Sequence, residues 1–82
     1  MVTVLRVQGL RVVIFINDHL PAHVHVFGAG EAKINLRGAG GAPALVWAEG
    51  MSRGDIRRAM RVVMEQWAFL LERWEEIHGR VD

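Results

Sequence analysis

The chain has 82 residues, of which 51% are hydrophobic and 23% are charged, a composition that excludes a disordered chain and predicts a single domain over residues 1–82. A formal net charge of +1 is too small to argue for nucleic acid by itself, and no apolar run approaches the roughly 20 residues that span a bilayer. Cysteine is absent, which excludes disulfides and thiolate ligands and fits the reducing cytoplasm.

The N-terminal residues predict a β-hairpin. β-Branched and apolar residues dominate residues 2–7 and 10–16, and Gln8 and Gly9 between them are typical of a two-residue turn. Two arginines then face each other across the strands, which is mildly unfavourable unless an anion or a carboxylate lies between them. The predicted pairs are Val7 with Leu10, Arg6 with Arg11, Leu5 with Val12, Val4 with Val13 and Thr3 with Ile14.

A second pair of strands is expected over residues 22–27 and 31–36, after a connection at residues 17–21 that contains turn-forming Asn, Asp and Pro residues. A two-residue turn between these strands would mix histidines with the apolar face. A three-residue loop at residues 28–30 separates an apolar face from a polar one, so we prefer it. In that register Phe27 faces Glu31, Val26 faces Ala32, His25 faces Lys33, Val24 faces Ile34 and His23 faces Asn35.

The C-terminal half predicts a short strand and one long helix. The strand covers residues 44–48, after a glycine-rich loop at residues 38–43 that lacks a P-loop ending and is interpreted as a linker. Ser52 is the expected N-cap of the helix and Gly79 its expected end. The sequence therefore predicts an α+β fold, a mainly antiparallel four- to five-stranded sheet packed against one long C-terminal helix. Apolar residues recur at helical spacing at Ile56, Ala59, Met60, Val63, Trp67, Leu70, Leu71, Trp74 and Ile77.

The charges of this helix predict a homodimer. Its N-terminal part carries four arginines and one aspartate, a sum of +3, and its C-terminal part carries four glutamates and one arginine, a sum of −3. This order opposes the helix macrodipole. An antiparallel copy of the helix would pair the opposite charges and cover apolar residues that lie off the main stripe. Those residues are Val62, Met64, Ala68 and Phe69.

The segment from Asn17 to Val26 holds three of the four histidines and is the main candidate for chemistry. His23 and His25 are two apart on a strand, so they share a face, and Lys33 and Asn35 are expected beside them. Such a face can have a structural role, in which the histidines cap backbone groups or hydrogen-bond across the sheet, or it can contact a protein, an anion or nucleic acid. It can also share a metal ion with Asp18, His19 or another chain, or supply a general acid and base. No clear third and fourth ligand is evident, so the metal stays open and no cofactor is expected. Asp18 and His19 are predicted to shape the turn.

A basic cluster and three tryptophans complete the candidates. Arg57, Arg58 and Arg61 are interpreted as a solvated face, as one half of inter-chain ion pairs, or as a phosphate-binding strip that Arg6, Arg11 and Lys33 could extend. Few aromatic residues interleave these basic residues, so a base-stacking platform is not indicated. We expect the tryptophans, which are Trp47, Trp67 and Trp74, to make core or dimer contacts.

Several motifs together resemble a family of small bacterial proteins catalogued as domain of unknown function 4160. The resemblance implies a compact bacterial cytoplasmic protein. It also implies a gene often placed beside that of another small protein, in an arrangement like a toxin–antitoxin pair. It supplies no activity, cofactor or catalytic residue. The residues that carry it are Val2-Thr3-Val4-Leu5-Arg6, Asn17-Asp18-His19 with Pro21, His23-Val24-His25-Val26, Glu31-Ala32-Lys33, and a helix that opens at Ser52 and carries Trp74.

Two functions remain open from the sequence. The leading hypothesis is a dimeric, non-enzymatic interaction module of a toxin–antitoxin-like or regulatory system, which binds a cognate small protein or nucleic acid and no membrane. The alternative is a nuclease that uses His23 and His25 as an acid–base pair, with or without a metal ion. The enzyme hypothesis requires both imidazoles to be exposed in a concave site close to basic groups.

Overall fold

Five strands and two helices build the part of the chain that the computed structural model describes, residues 1–79. Each strand pairs antiparallel with the next, which gives one sheet in the order β1-β2-β3-β4-β5. This arrangement confirms the predicted α+β fold with a five-stranded sheet. The elements are β1 (Val2–Val7), β2 (Leu10–Ile14), β3 (His23–Phe27), β4 (Glu31–Asn35), β5 (Ala44–Glu49), α1 (Arg53–Glu65) and α2 (Trp67–His78).

The first hairpin has the predicted turn and only part of the predicted register. Gln8 has φ 52° and Gly9 has φ 76°, so both turn residues are left-handed, as a type I′ turn requires. The register then shifts between Thr3 and Leu5. The predicted partners of Thr3 and Val4 are therefore wrong, because a bulge at Val4 adds one residue to β1. The observed pairs are Val7 with Leu10, Arg6 with Arg11, Leu5 with Val12, Thr3 with Val13 and Val2 with Ile14.

The second hairpin has the predicted three-residue loop, and its register is confirmed at all five pairs. Val24, Val26, Ala32 and Ile34 are completely buried in the main core. His25 faces Lys33 on the opposite side of the sheet. The separation of an apolar from a polar face therefore selects the register, as expected from the two-residue period of a strand.

A bulge in β5 changes which way Trp47 points. Leu45 pairs with Ile34 and Trp47 pairs with Lys33, so Val46 is the extra residue between them. In a regular strand without a bulge, alternation would place Trp47 on the same face as Leu45, two residues earlier. The bulge instead places Trp47 on the face of the sheet that carries Lys33 and the histidines.

The predicted single long helix is wrong, because the helix is interrupted at Gln66. Ser52 caps α1 as predicted, since its Oγ accepts a hydrogen bond from the backbone N–H of Asp55 at 3.1 Å. At Gln66 the backbone leaves the helical region, with φ −104° and ψ 18°. α2 then begins at Trp67, whose indole N–H donates to the backbone oxygen of Leu36 at 2.7 Å, and it ends at Gly79. α1 packs on β4 and β5, and α2 is bonded through Trp67 to the residue that follows β4.

α2 closes the end of the sheet at which β2 ends and β3 begins. Trp74 is fully buried and packs against His23, with ring centroids 5.2 Å apart. His78 stacks on Trp74 at 3.9 Å, and its Nε2 donates to the backbone oxygens of Phe15 and Ile16. The last turns of the helix therefore hold the segment that leads into residues 17–21. No helix within residues 1–79 is both long enough and apolar enough to cross a bilayer.

Candidate functional site

Two histidines and one aspartate converge at the start of β3. Nε2 of His23 lies 3.0 Å from Oδ2 of Asp18, and Nε2 of His25 lies 3.9 Å from the same oxygen. One nitrogen from each histidine and one oxygen of Asp18 all lie within 4.8 Å of one another. These three residues are called the His–His–Asp cluster below.

The local chain path explains why Asp18 belongs to this cluster. After β2 the backbone turns, and the N–H of Asp18 donates to the backbone oxygen of Phe15 at 3.1 Å. The turn brings the carboxylate back over the first residues of β3. The prediction that Asp18 acts with His19 in shaping the turn, apart from the strand histidines, therefore needs correction. Only the tertiary structure brings the Asp18 side chain to both imidazoles. His19 is exposed on the same connection.

Hydrogen bonds to Nδ1 determine which nitrogen of each ring carries the proton. Nδ1 of His23 lies 2.8 Å from the backbone oxygen of Pro21, and a carbonyl oxygen only accepts, so this Nδ1 is the protonated nitrogen. Nδ1 of His25 lies 3.0 Å from Oε2 of Glu31, which accepts in the same way. In the neutral form, both rings therefore present the lone pair of Nε2 toward Asp18.

Sequence reasoning did not assign Glu31 a role in the site. Its signal was available in the predicted register, because Glu31 pairs with Phe27 and is the diagonal neighbour of His25 across the two strands. Diagonal neighbours on one hairpin lie within reach of long side chains. A carboxylate diagonal to a histidine is thus a feature that the register predicts once the loop length is chosen.

The two imidazoles differ in their burial. His23 is only 4% exposed and lies against Trp74. Burial lowers the pKa of His23 below its usual value, and this effect outweighs the hydrogen bond to Pro21 and the attraction of Asp18, which both raise it. His25 is enclosed by two aromatic rings, Phe15 at 4.7 Å and Trp47 at 6.0 Å between centroids. The neutral form of His23 is therefore favoured.

The cluster opens onto a cavity of about 260 Å³, called the histidine cavity below. Lys33 and Trp47 form part of its wall, so the predicted neighbourhood of Lys33 and the strand histidines is observed. Asn35 pairs with His23 along the backbone, but it does not line the cavity, and its Oδ1 is buried without a hydrogen bond among the described residues. The lining residues are Asp18, His19, Leu20, Pro21, His23, His25, Lys33 and Trp47.

The structure places the residues of the predicted basic strip on separate surfaces. Arg58 lies 3.5 Å from the carboxylate of Asp55 on its own helix, whereas Arg57 and Arg61 line a groove on α1. Arg6 and Arg11 line a different depression beside the first turn. None of these arginines lines the histidine cavity. Lys33 is therefore the only Lys or Arg side chain among the residues lining it.

The tryptophans have two different roles. Trp67 and Trp74 are packed in or against the main core, as expected. Trp47 is 37% exposed and lines the histidine cavity, so it lies outside the core, and the predicted dimer contact stays a prediction. The bulge at Val46 causes this difference, and the sequence carries no clear signal for a bulge.

This arrangement can act chemically in two ways. The two lone pairs and the carboxylate oxygen are suitable ligands for a metal ion. Alternatively, one imidazole can exchange a proton with a group bound in the cavity, beside the positive charge of Lys33. The binding and catalytic hypotheses therefore concern the same cavity.

Comparisons with known proteins bear on the family and not on the activity. A search of the curated proteins and a search of the solved structures each found no match. A family model described as "Domain of unknown function (DUF4160)" matches residues 9–75, which include the His–His–Asp cluster, Glu31 and both helices up to Glu75. Since this match covers most of the chain, the protein belongs to the DUF4160 family.

Proposed function

We propose that this protein is a small, non-enzymatic interaction module and that its partner docks over the histidine cavity. The observation that carries the proposal is the apolar wall of this polar cavity. Leu20 is 58% exposed and Trp47 is 37% exposed, and both line it. Large exposed apolar side chains around a polar centre are typical of surfaces that a partner covers.

The neighbouring edge strand supports the same surface. β5 pairs with β4 only, so within residues 1–79 its outer edge has no strand partner. Its residues Leu45 and Val46 are also exposed, next to Trp47. Proteins generally protect a sheet edge with charges or proline, because an open apolar edge pairs with other chains. An extended segment of a partner could add to β5 and place side chains in the histidine cavity.

A protein partner fits this surface better than nucleic acid does. The arginines lie on separate depressions, and Lys33 is the one Lys or Arg side chain lining the cavity. Binding of nucleic acid relies on several cations that follow the phosphate backbone. The proposed partner is the cognate small protein of a toxin–antitoxin-like or regulatory pair, in keeping with the arrangement that the resemblance implies.

The proposal includes a homodimer through the C-terminal helices and a cytoplasmic location. α1 carries an apolar groove of about 500 Å³ that Met60 and Met64 line, and Phe69 is exposed on α2. Val62, which the dimer prediction counted as part of this second face, is buried in the core of its own chain. The apolar surface of the helices that is free to contact a second chain is thus narrower than predicted. The absence of cysteine fits a reducing compartment.

The test uses the small protein encoded beside this chain in its native genome. The two proteins are co-expressed, and the complex is measured by size-exclusion chromatography with light scattering and by calorimetry. Trp47→Glu should weaken the complex by about tenfold or more, since a charge would replace a central apolar contact. Ile16→Glu is the control, because Ile16 is also a large apolar residue and is 59% exposed, but it does not line the cavity.

Three outcomes would contradict the proposal. The first is that no complex forms, and the second is that Ile16→Glu weakens it as much as Trp47→Glu does. The third is binding of RNA or DNA that weakens steeply with salt and is lost in Trp47→Glu. This result would identify the partner of the cavity as nucleic acid instead of a protein.

A histidine-dependent nuclease is the second candidate, because Lys33 and both imidazoles line the same cavity. Lys33 could hold a phosphate while His25 moves a proton. The burial of His23, whose Nδ1 is already bonded to Pro21, is unfavourable for an acid–base pair of both rings. Incubation of the protein with labelled RNA and DNA, with and without Mn²⁺ or Zn²⁺, tests this function. Cleavage that His25→Ala abolishes and His19→Ala keeps would establish it, and no cleavage under any condition would reject it.

A further inference from the structure

We infer that Asp18, His23 and His25 form a three-ligand site for a divalent transition metal ion of the Zn²⁺ class, with a further coordination position open to the histidine cavity. The ligand atoms are Oδ2 of Asp18 and Nε2 of each histidine. The inference concerns the cluster itself and does not depend on the proposed partner.

The separations between the ligand atoms fit a single ion. Zinc bonds to nitrogen and oxygen are about 2.0–2.1 Å long, so two ligands of a tetrahedral site lie roughly 3.3 Å apart. Oδ2 of Asp18 lies 3.0 Å from Nε2 of His23 and 3.9 Å from Nε2 of His25. One nitrogen of each ring and one carboxylate oxygen of Asp18 lie within 4.8 Å of one another. Small rotations of the side chains would therefore bring them to bonding distance.

When both rings are neutral and protonated at Nδ1, no hydrogen-bond donor of the two histidines points to the centre of the His–His–Asp cluster. Both Nδ1 atoms are engaged by oxygen acceptors, so the neutral rings direct two lone pairs at a carboxylate. Oδ2 of Asp18 is buried, and Nε2 of His23 at 3.0 Å can donate to it only if that nitrogen carries a proton. Three electron-rich atoms facing one another repel unless a positive charge lies between them. A metal ion supplies that charge to all three atoms.

A proton on Nε2 of His23, instead of a metal ion, is the competing source of positive charge beside the Asp18 carboxylate. It would form an ion pair with Asp18 at 3.0 Å. However, this proton would engage only one of the two rings, because Nε2 of His25 lies 3.9 Å from Oδ2 of Asp18, which is too long for a hydrogen bond. One metal ion accounts for both rings.

The atoms that contact Nδ1 match the usual surroundings of metal-binding histidines. A histidine ligand commonly donates its other ring N–H to a carboxylate or a backbone oxygen, which fixes the ring orientation and makes the ligand nitrogen more basic. Glu31 does this for His25, and the backbone oxygen of Pro21 does it for His23. Trp74 and Phe15 pack against the rings and restrict their rotation.

The donor set indicates the class of ion. Two imidazoles and one carboxylate suit Zn²⁺, Fe²⁺, Co²⁺ and related ions, whereas Ca²⁺ and Mg²⁺ prefer oxygen ligands. Three protein ligands leave a position for water or for a group of a bound molecule. Since Lys33 lies on the wall of the same cavity, an anionic group is favoured at that position.

The test is direct titration of the full chain with ZnCl₂ after the protein has been treated with a chelator. Calorimetry should show one ion per chain. Asp18→Asn and His25→Ala should lower the affinity at least tenfold, and Glu31→Ala should lower it by roughly 10- to 100-fold through His25. His19→Ala is the control, since this histidine is exposed, lines the same cavity and is outside the ligand set. Mg²⁺ and Ca²⁺ should not compete.

A second measurement uses the unaltered protein, so it does not depend on whether a variant folds. In NMR spectra of the imidazole nitrogens, Zn²⁺ should shift Nε2 of His23 and His25 and leave His19 and His78 unchanged. No binding by the unaltered chain, equal loss of affinity in His19→Ala, or shifts confined to His19 or His78 would overturn the inference.

Discussion

Oε2 of Glu31 accepts a hydrogen bond from the Nδ1–H of His25, with 3.0 Å between the two atoms, and this contact directs Nε2 of the same ring toward Asp18. Glu31 is on β4 and His25 is on β3, so the register of one hairpin sets the orientation of the imidazole. The same register buries the valines of β3 on the other face of the sheet. Packing of the core and orientation of the site are therefore coupled through two adjacent strands.

The contact between Glu31 and His25 should affect both the free energy of unfolding and the tautomer of the His25 ring. Replacing Glu31 by Ala removes the acceptor and should lower the free energy of unfolding by about 0.5–1.5 kcal/mol, since Glu31 is partly exposed. Glu31→Gln keeps an oxygen acceptor and should cost less. Urea unfolding measures the first effect. NMR of His25 in the absence of metal should show the Nδ1–H form in the native protein and a mixture of tautomers in Glu31→Ala. An unchanged tautomer in Glu31→Ala would contradict the assigned role.

The indole of Trp67 should hold α2 against the end of β4. Its N–H donates to the backbone oxygen of Leu36 at 2.7 Å. Trp67→Phe keeps an aromatic ring but removes the donor, and it should lower the free energy of unfolding by about 1–3 kcal/mol, because a partly buried carbonyl loses its partner. Trp47→Phe is the control, since the Trp47 indole makes no hydrogen bond within residues 1–79 and the side chain is 37% exposed. Equal losses of unfolding free energy in the two variants would show that the hydrogen bond of Trp67 is not what stabilises the domain.

Gly9 should be required because its backbone is left-handed, and not because a larger side chain would collide with neighbouring atoms. It has φ 76°, and an added Cβ would meet no heavy atom within 4 Å. Gly9→Ala should lower the free energy of unfolding by about 1–2 kcal/mol, the cost of placing an L-residue in the left-handed region. Gly40 is a matched control, because a Cβ there is also in open space and its φ is not in that region. Gly40→Ala should be close to neutral in thermal unfolding, and an equal loss at both positions would contradict the explanation.

The proposed homodimer should depend on the exposed apolar residues of the two helices. Met64 is 57% exposed and Phe69 is 41% exposed. Charged substitutions at both positions, Met64→Glu and Phe69→Glu, should convert the dimer to a monomer, because a buried glutamate would lack a partner. Light scattering at micromolar concentration measures the change, and Trp47→Glu should remain dimeric. A native protein that is monomeric at this concentration would reject the dimer.

The sequence by itself determined the features that depend on neighbouring residues. The turn at Gln8 and Gly9, the helix cap at Ser52 and the helix end at Gly79 each rest on a few adjacent residues. The register of β3 and β4 was also predictable, because a slip by one residue would move every side chain to the wrong face. That register already placed His23, His25 and Lys33 on a shared face.

Only the tertiary structure decided the features that depend on contacts between distant residues. Helical periodicity continues through Gln66, but the helix is interrupted there, and the next residue, Trp67, bonds to the backbone oxygen of Leu36, 31 residues earlier. The bulge at Val46 is set by pairing with β4, and it brings Trp47 to the cavity. Asp18 reaches the two histidines because the chain turns back after β2. A carboxylate in a turn can point in many directions, and the packing of the whole domain selects one.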